Sequence, residues 1–250
     1  MTRRKLIAGN WKMNGDKAML AELAGIEAAA AQVPACDVLI CPPFTLIDAA
    51  RARVQHMHIG AQDVHPASHG AYTGDISVAM LKEAGAQAVI VGHSERRDAH
   101  HETDAQVRAK AESVMGAGLR AVVCIGESLE LRDAGAALTV VERQLGGSVP
   151  EDGDFSLLAI AYEPIWAIGS GRIPTAEELI EVHGYIRSRL GILIGAAAQA
   201  VPILYGGSVN AENVASIMAT PDIDGVLVGG ASLSAAKFVP IIQAAALASR

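Results

Sequence analysis

Aromatic residues are scarce in this chain, at 4% of 250 residues, although 51% are hydrophobic. The apolar mass is therefore aliphatic and small, rich in alanine and glycine, as in helices packed closely on strands. Cysteine is also sparse: Cys36, Cys41 and Cys124 make an odd count without a C-x-x-C pair. That excludes a disulfide framework. Each lies in or beside an apolar run, so buried free thiols in a reducing compartment, the cytoplasm, are expected. Positive charge is in deficit, 20 Lys and Arg against 27 Asp and Glu, which argues against a nucleic-acid or anionic-membrane partner. A small anionic ligand stays open, because backbone dipoles and a single lysine can override a global sign. No apolar run reaches membrane-spanning length. Arg3, Arg4 and Lys5 precede only a short one ending at Gly9-Asn10, too short for a signal-peptide core. No Pro/Ser-rich linker or charge run interrupts the chain, so residues 1–250 read as one domain.

Familiar chemical signatures are missing too. His56 and His58 would share a strand face, but no third ligand follows at metal spacing. His100 and His101 are adjacent, and "HETDA" from His101 lacks the second His of H-E-x-x-H. No metal and no cofactor are expected. "GSGRIP" has Pro174 where a dinucleotide fingerprint needs its third Gly, and no G-x-x-x-x-G-K-[ST] occurs. "GHSER" imitates G-x-S-x-G, but Arg96 replaces the final Gly. A Ser94 hydrolase would also need a later His, and His183 falls within an amphipathic helical stretch.

What is present is a series. Short apolar runs begin at Leu6, Val38, His58, Ala88, Ala121, Leu157, Ile203 and Gly225, with helical patterns between them. None alternates as a half-wet strand does, so both faces of each should be buried. "DKAMLAELAGIEAAAA" reads as a helix from Asp16, and "AEELIEVHGYIRSRL" as another, opened by a Thr175/Glu178 capping box. Eight such alternations favour a closed parallel (β/α)₈ barrel over a doubly wound sheet.

In such a barrel the residues just past the C-terminal strand ends line one mouth. Here they are Asn10 and Lys12, Gln62 and Asp63, then His93, Ser94 and Glu95, then Glu127, Glu163, Ser208 and Gly229-Gly230. Each has a plain alternative. His93 could satisfy neighbours at a strand end, Lys12 could lie along the surface, and Glu127 could be an acid favoured at a helix start. Glu163 is followed by a loop, "PIWAIGSG", whose apolar Ile165, Trp166 and Ile168 are unlike an ordinary solvated connection. Trp166 could simply pack. A segment that must at times be covered is the sharper reading.

Taken in order, "GNWKMN", "GAQDV", "GAYTGD", "VGHSERR", "CIGE", "AYEPIWAIGSG", "YGGSV" and "LVGGASL" resemble the triosephosphate isomerase family from Gly9 to Leu233. The resemblance implies a TIM barrel interconverting dihydroxyacetone phosphate and D-glyceraldehyde 3-phosphate through an enediolate, in glycolysis and gluconeogenesis. It implies Glu163 as the base, His93 as a neutral hydrogen-bond donor, and Lys12 and Asn10 as electrostatic stabilisers. Glu95, Ser94 and Cys124 would support them, and Gly169, Ser208, Gly229 and Gly230 would hold the phosphate on backbone N–H groups. Pro164, Ile165, Trp166, Ala167, Ile168, Gly169, Ser170 and Gly171 would form a lid. Thr73, in the loop from His65 to Asp75, would reach a second copy in a homodimer. The sequence departs from the family pattern at Asp63, where Asn is frequent, at Ser170 and Arg172, and at Ile173-Pro174. A phosphate-binding barrel without catalysis would have no use for both Glu163 and His93.

Overall fold

The computed structural model describes residues 3–169 and 172–248. Eight parallel strands close on themselves in chain order. They are Lys5–Asn10 (β1), Cys36–Cys41 (β2), His58–Ala61 (β3), Ala88–Val91 (β4), Arg120–Ile125 (β5), Leu158–Tyr162 (β6), Ile203–Tyr205 (β7) and Gly225–Val228 (β8). β1 pairs with both β2 and β8, which seals the barrel and leaves no free edge.

Side chains alternate across each strand, so every strand feeds two cores. Leu6, Ala8, Leu39, Cys41, Ala88, Ile90, Val122, Cys124, Ala159, Ala161, Leu204 and Leu227 fill the barrel interior. Ile7, Val38, Ile40, Val89, Val91, Val123, Ile160, Tyr205 and Val226 pack outward under the helices. Both faces are dry, and that is why the strands read as continuous apolar runs.

The same parity positions the mouth. Extending the inward set by two residues gives Asn10 beyond Ala8, Gly92 beyond Ile90, Gly126 beyond Cys124 and Glu163 beyond Ala161. Gly206 and Gly229 follow Leu204 and Leu227 in the same way. Functional groups thus stand among glycines, and the glycines leave room above the packed interior.

Two local expectations need correction. The helix expected from Asp16 begins at Glu22, after a 3₁₀ turn at Met19–Ala21. The Asp16 carboxylate accepts the N–H groups of Ala18 and Met19, a local turn that competes with helix. His56 lies exposed ahead of β3, so it does not share a strand face with His58. The Thr175/Glu178 capping box is present and opens the helix Ala176–Ile194. No helix among the described residues is long and apolar enough to cross a membrane.

Candidate active site

At the C-terminal mouth of the barrel lies a cavity of about 290 Å³ lined by Asn10, Lys12, His93, Glu163, Ile168, Gly169, Ser208, Gly229 and Gly230, among others. Residues from both ends of the sequence therefore meet around one volume.

Glu163 is 2% exposed and inward-facing at the end of β6. One carboxylate oxygen lies 2.9 Å from His93 Nε2 and the other accepts the Ser94 N–H at 3.0 Å. Burial alone would raise its carboxyl pKa. His93, the Ser94 N–H and Lys12 outweigh burial and hold the group below the ordinary carboxylate value, so it is ionised at neutral pH. Two glycines shape its slot. A Cβ at Gly126 would sit 1.7 Å from the Glu163 carbonyl oxygen, and one at Gly206 would sit 3.0 Å from its Cγ.

His93 caps the short helix Ser94–Ala99, and its Nδ1 accepts the Glu95 N–H at 3.2 Å. An accepting Nδ1 carries no proton, so Nε2 is the protonated nitrogen of a neutral ring, aimed at Glu163. Burial opposes the imidazolium, but the adjacent Glu163 carboxylate outweighs it and lifts the His93 pKa above its ordinary value. Most of the upward pull therefore belongs to Glu163 and lasts only while the carboxylate rests there; Glu95 adds a smaller one.

Lys12 sits in a left-handed backbone conformation (φ 52°) that lets its side chain cross the mouth to Glu95, at 2.6 Å. Its N–H donates to the Asn10 side chain, and its carbonyl accepts from Gln62 Nε2 at 2.8 Å. Cys124 lies on the inner face of β5 against Glu163; burial first, then that carboxylate, push its thiol well above the usual range. All three thiols are buried and free.

The segment after Glu163 begins with a 3₁₀ turn at Ile165–Ala167. Trp166 does more than pack: its Nε1–H donates to Glu127 at 3.0 Å, beside the Tyr162 hydroxyl on the same oxygen. Ser208 Oγ donates to the Ala167 carbonyl at 2.5 Å, tying the segment to the loop after β7. Ile165 is 41% exposed, whereas Ile168 faces the cavity. Ser170 and Gly171 lie outside the described residues. Thr73 is exposed and away from the cavity of its own chain.

Several supporting residues had no role in the sequence reading. Gln62 stood among the strand-end polar residues, but nothing showed that it would bond the carbonyls of Lys12 and Cys41. Gln144 falls in a helix and shows no signal at all. Asp63, the departure from Asn, is met by Lys110 and Arg96, each at 2.7 Å, and both also bond Glu102. His183 is fully buried beside Tyr162, and neither ring nitrogen has a hydrogen-bond partner among the described residues. It cannot serve Ser94, which removes the hydrolase reading.

The sequence profile described as triosephosphate isomerase matches residues 5–245. The chain is 56% identical to the triosephosphate isomerase of Xanthobacter flavus over 244 residues, 97% of this chain and 98% of that one. Against the triosephosphate isomerase of Ruegeria sp. (strain TM1040) the identity is 54%, with 97% and 98% covered. Among solved structures, the crystal structure of triosephosphate isomerase from Bartonella henselae superposes with a TM-score of 0.90 at 42% identity. That match covers 96% of this chain and 98% of the other.

Proposed function

This chain belongs to the triosephosphate isomerase family of glycolytic isomerases, and from that premise we propose that Glu163 moves the proton between the adjacent carbons of the triose phosphate. The carrying observation is an ionised, buried carboxylate 2.9 Å from a histidine nitrogen at the floor of the cavity. Glu163 takes a proton α to the carbonyl and returns it to the neighbouring carbon. His93 donates its Nε2–H to the substrate oxygens. Substrate entering between the two separates His93 from the carboxylate that raises its pKa most, and burial, the largest influence on the ring, then favours the neutral form. Lys12 and Asn10 stabilise the negative charge of the enediolate and phosphate. The backbone N–H groups of Gly169, Ser208, Gly229 and Gly230 hold the phosphate, and the three glycines, without side chains, allow the closest approach.

Pro164 to Gly171 act as the lid. The Trp166–Glu127 and Ser208–Ala167 bonds hold the segment in its present position and must exchange partners for it to close. Closure over the phosphate couples binding of the non-reacting end to the chemistry.

Assembly is as a homodimer in the cytoplasm, with Thr73 contacting the second copy near its Asn10 and Lys12. Supporting this, Met13 is 97% exposed, and Phe44, Tyr72 and Met80 are exposed as well. An apolar side chain standing free beside Lys12 is accounted for by a covering partner.

The test is Glu163→Gln, which keeps size but removes basicity. kcat should fall about 10²–10⁴-fold with little change in substrate affinity. The His93 pKa, followed by imidazole ¹⁵N NMR, should drop relative to wild type because burial is then opposed only by the weaker pull of Glu95. Retention of most activity would exclude Glu163 as the base.

A further inference from the structure

We propose that Gln144, on the helix Ala137–Ser148 outside the barrel, is a positioning residue for the catalytic base, acting through Gly126. This rests on the reading of Glu163 as the base.

The end of β5 holds the start of the Glu163 segment. Glu163 N–H donates to the Ile125 carbonyl at 2.7 Å, and Ile165 N–H donates to the Glu127 carbonyl at 3.0 Å. Between those two acceptors lies Gly126, pressed so closely on the Glu163 backbone that no side chain fits. Its own N–H and carbonyl both bond the Gln144 side chain. Gln144 Oε1 accepts the Gly126 N–H at 2.7 Å, and Nε2 donates to the Gly126 carbonyl at 3.1 Å. The primary amide thus stands in for a neighbouring strand, and the amide orientation is fixed because one group needs an acceptor and the other a donor.

Gln144 is 6% exposed, so no water replaces these bonds easily. Without them Gly126 has two buried, unpaired backbone groups, and its peptide planes are free to turn toward other partners. Any turn moves the surface against which Glu163 is seated. Small displacements of a base carry large rate costs. The phosphate-holding glycines sit on the loops after β7 and β8 and in the lid, and none of them contacts Gln144 through a hydrogen bond. The effect should therefore fall on turnover and spare binding.

Two variants test this. Gln144→Met keeps length and removes both bonds; kcat should fall about tenfold, with KM for glyceraldehyde 3-phosphate and competitive inhibition by inorganic phosphate within twofold of wild type. Gln144→Glu can accept from the Gly126 N–H when ionised, but it can donate to the carbonyl only when protonated. Its kcat relative to wild type should therefore rise several-fold as pH falls from 8 to 6. A merely structural role would move neither the kcat-against-KM split nor that pH ratio. Wild-type turnover in Gln144→Met overturns the proposal, as do losses shared equally by kcat, KM and phosphate inhibition. If Gln144→Met does not fold, a pH-independent ratio for Gln144→Glu overturns it alone. Glu163→Gln tests the base separately: if it is inactive while Gln144→Met is normal, only the positioning role fails.

Discussion

Lowering the pH from 7.5 to 5 should cost this protein stability through one side chain, His183. The ring is fully buried, and burial depresses its pKa to about 4 from an ordinary 6.5. Unfolded chains bind this proton below pH 6.5, and the folded protein refuses it until about pH 4. Unfolded protein therefore holds more protons between those limits, and stability declines as pH falls through that window. At 1.36 kcal/mol per unit, the loss is about 2 kcal/mol by pH 5 and about 3 kcal/mol across the whole window. His93 does not imitate it: its pKa is raised, so its contribution is complete below 6.5 and fades only above. His183→Leu removes the titration and, with it, the ring's weak polar contact to the Asp222 backbone. Urea denaturation of both proteins at one protein concentration, at pH 7.5 and pH 5, measures the difference. The variant should gain about 2 kcal/mol relative to wild type on acidification, whatever packing offset it shows at pH 7.5. Carboxylate titrations are common to both proteins and cancel. An equal loss in wild type and variant would refute the assignment.

Gly229→Ala would place a Cβ 3.5 Å from Lys12 Cε, an ordinary contact, within the cavity mouth. Folding should survive while KM and the inhibition constant for inorganic phosphate rise together, about tenfold; unchanged phosphate inhibition would remove Gly229 from the phosphate site. Deleting residues 168–171 should leave the barrel's circular dichroism intact but abolish interconversion. It should also release inorganic phosphate with methylglyoxal, because an uncovered enediolate can expel phosphate before it is reprotonated; normal turnover without leakage would show that the segment is not a lid. Sedimentation should find a dimer at assay concentration, and a fully active monomer there would argue decisively against completion of the site by a second copy.

The sequence carried the barrel because both faces of every strand are apolar, a pattern that survives without knowing any contact. It also carried the mouth, since a residue two past an inward strand position continues inward: Ala161 leads to Glu163 and Ala8 to Asn10. The placement of side chains at strand ends was therefore legible. A place for backbone groups was legible only as glycine, and glycine states a permission without naming its beneficiary. Gly126 looks the same in sequence whether it serves a turn or a close approach; only the fold puts its missing Cβ against the Glu163 carbonyl. Gln144 is hidden more deeply, as a polar residue on a helix whose exposed face is also polar. Its significance lies in which face it occupies and in the two backbone groups it meets there. Trp166 was ambiguous for a related reason, because an indole that packs and an indole that donates have the same spelling, and only Glu127, 39 residues earlier, decides between them. Asp63 shows the converse. Taken alone it is a costly substitution of a charge for an amide, yet Lys110 and Arg96 arrive from other elements to answer it. Local pattern reports what a residue is able to do; the closing of the barrel determines which of those capacities has a partner.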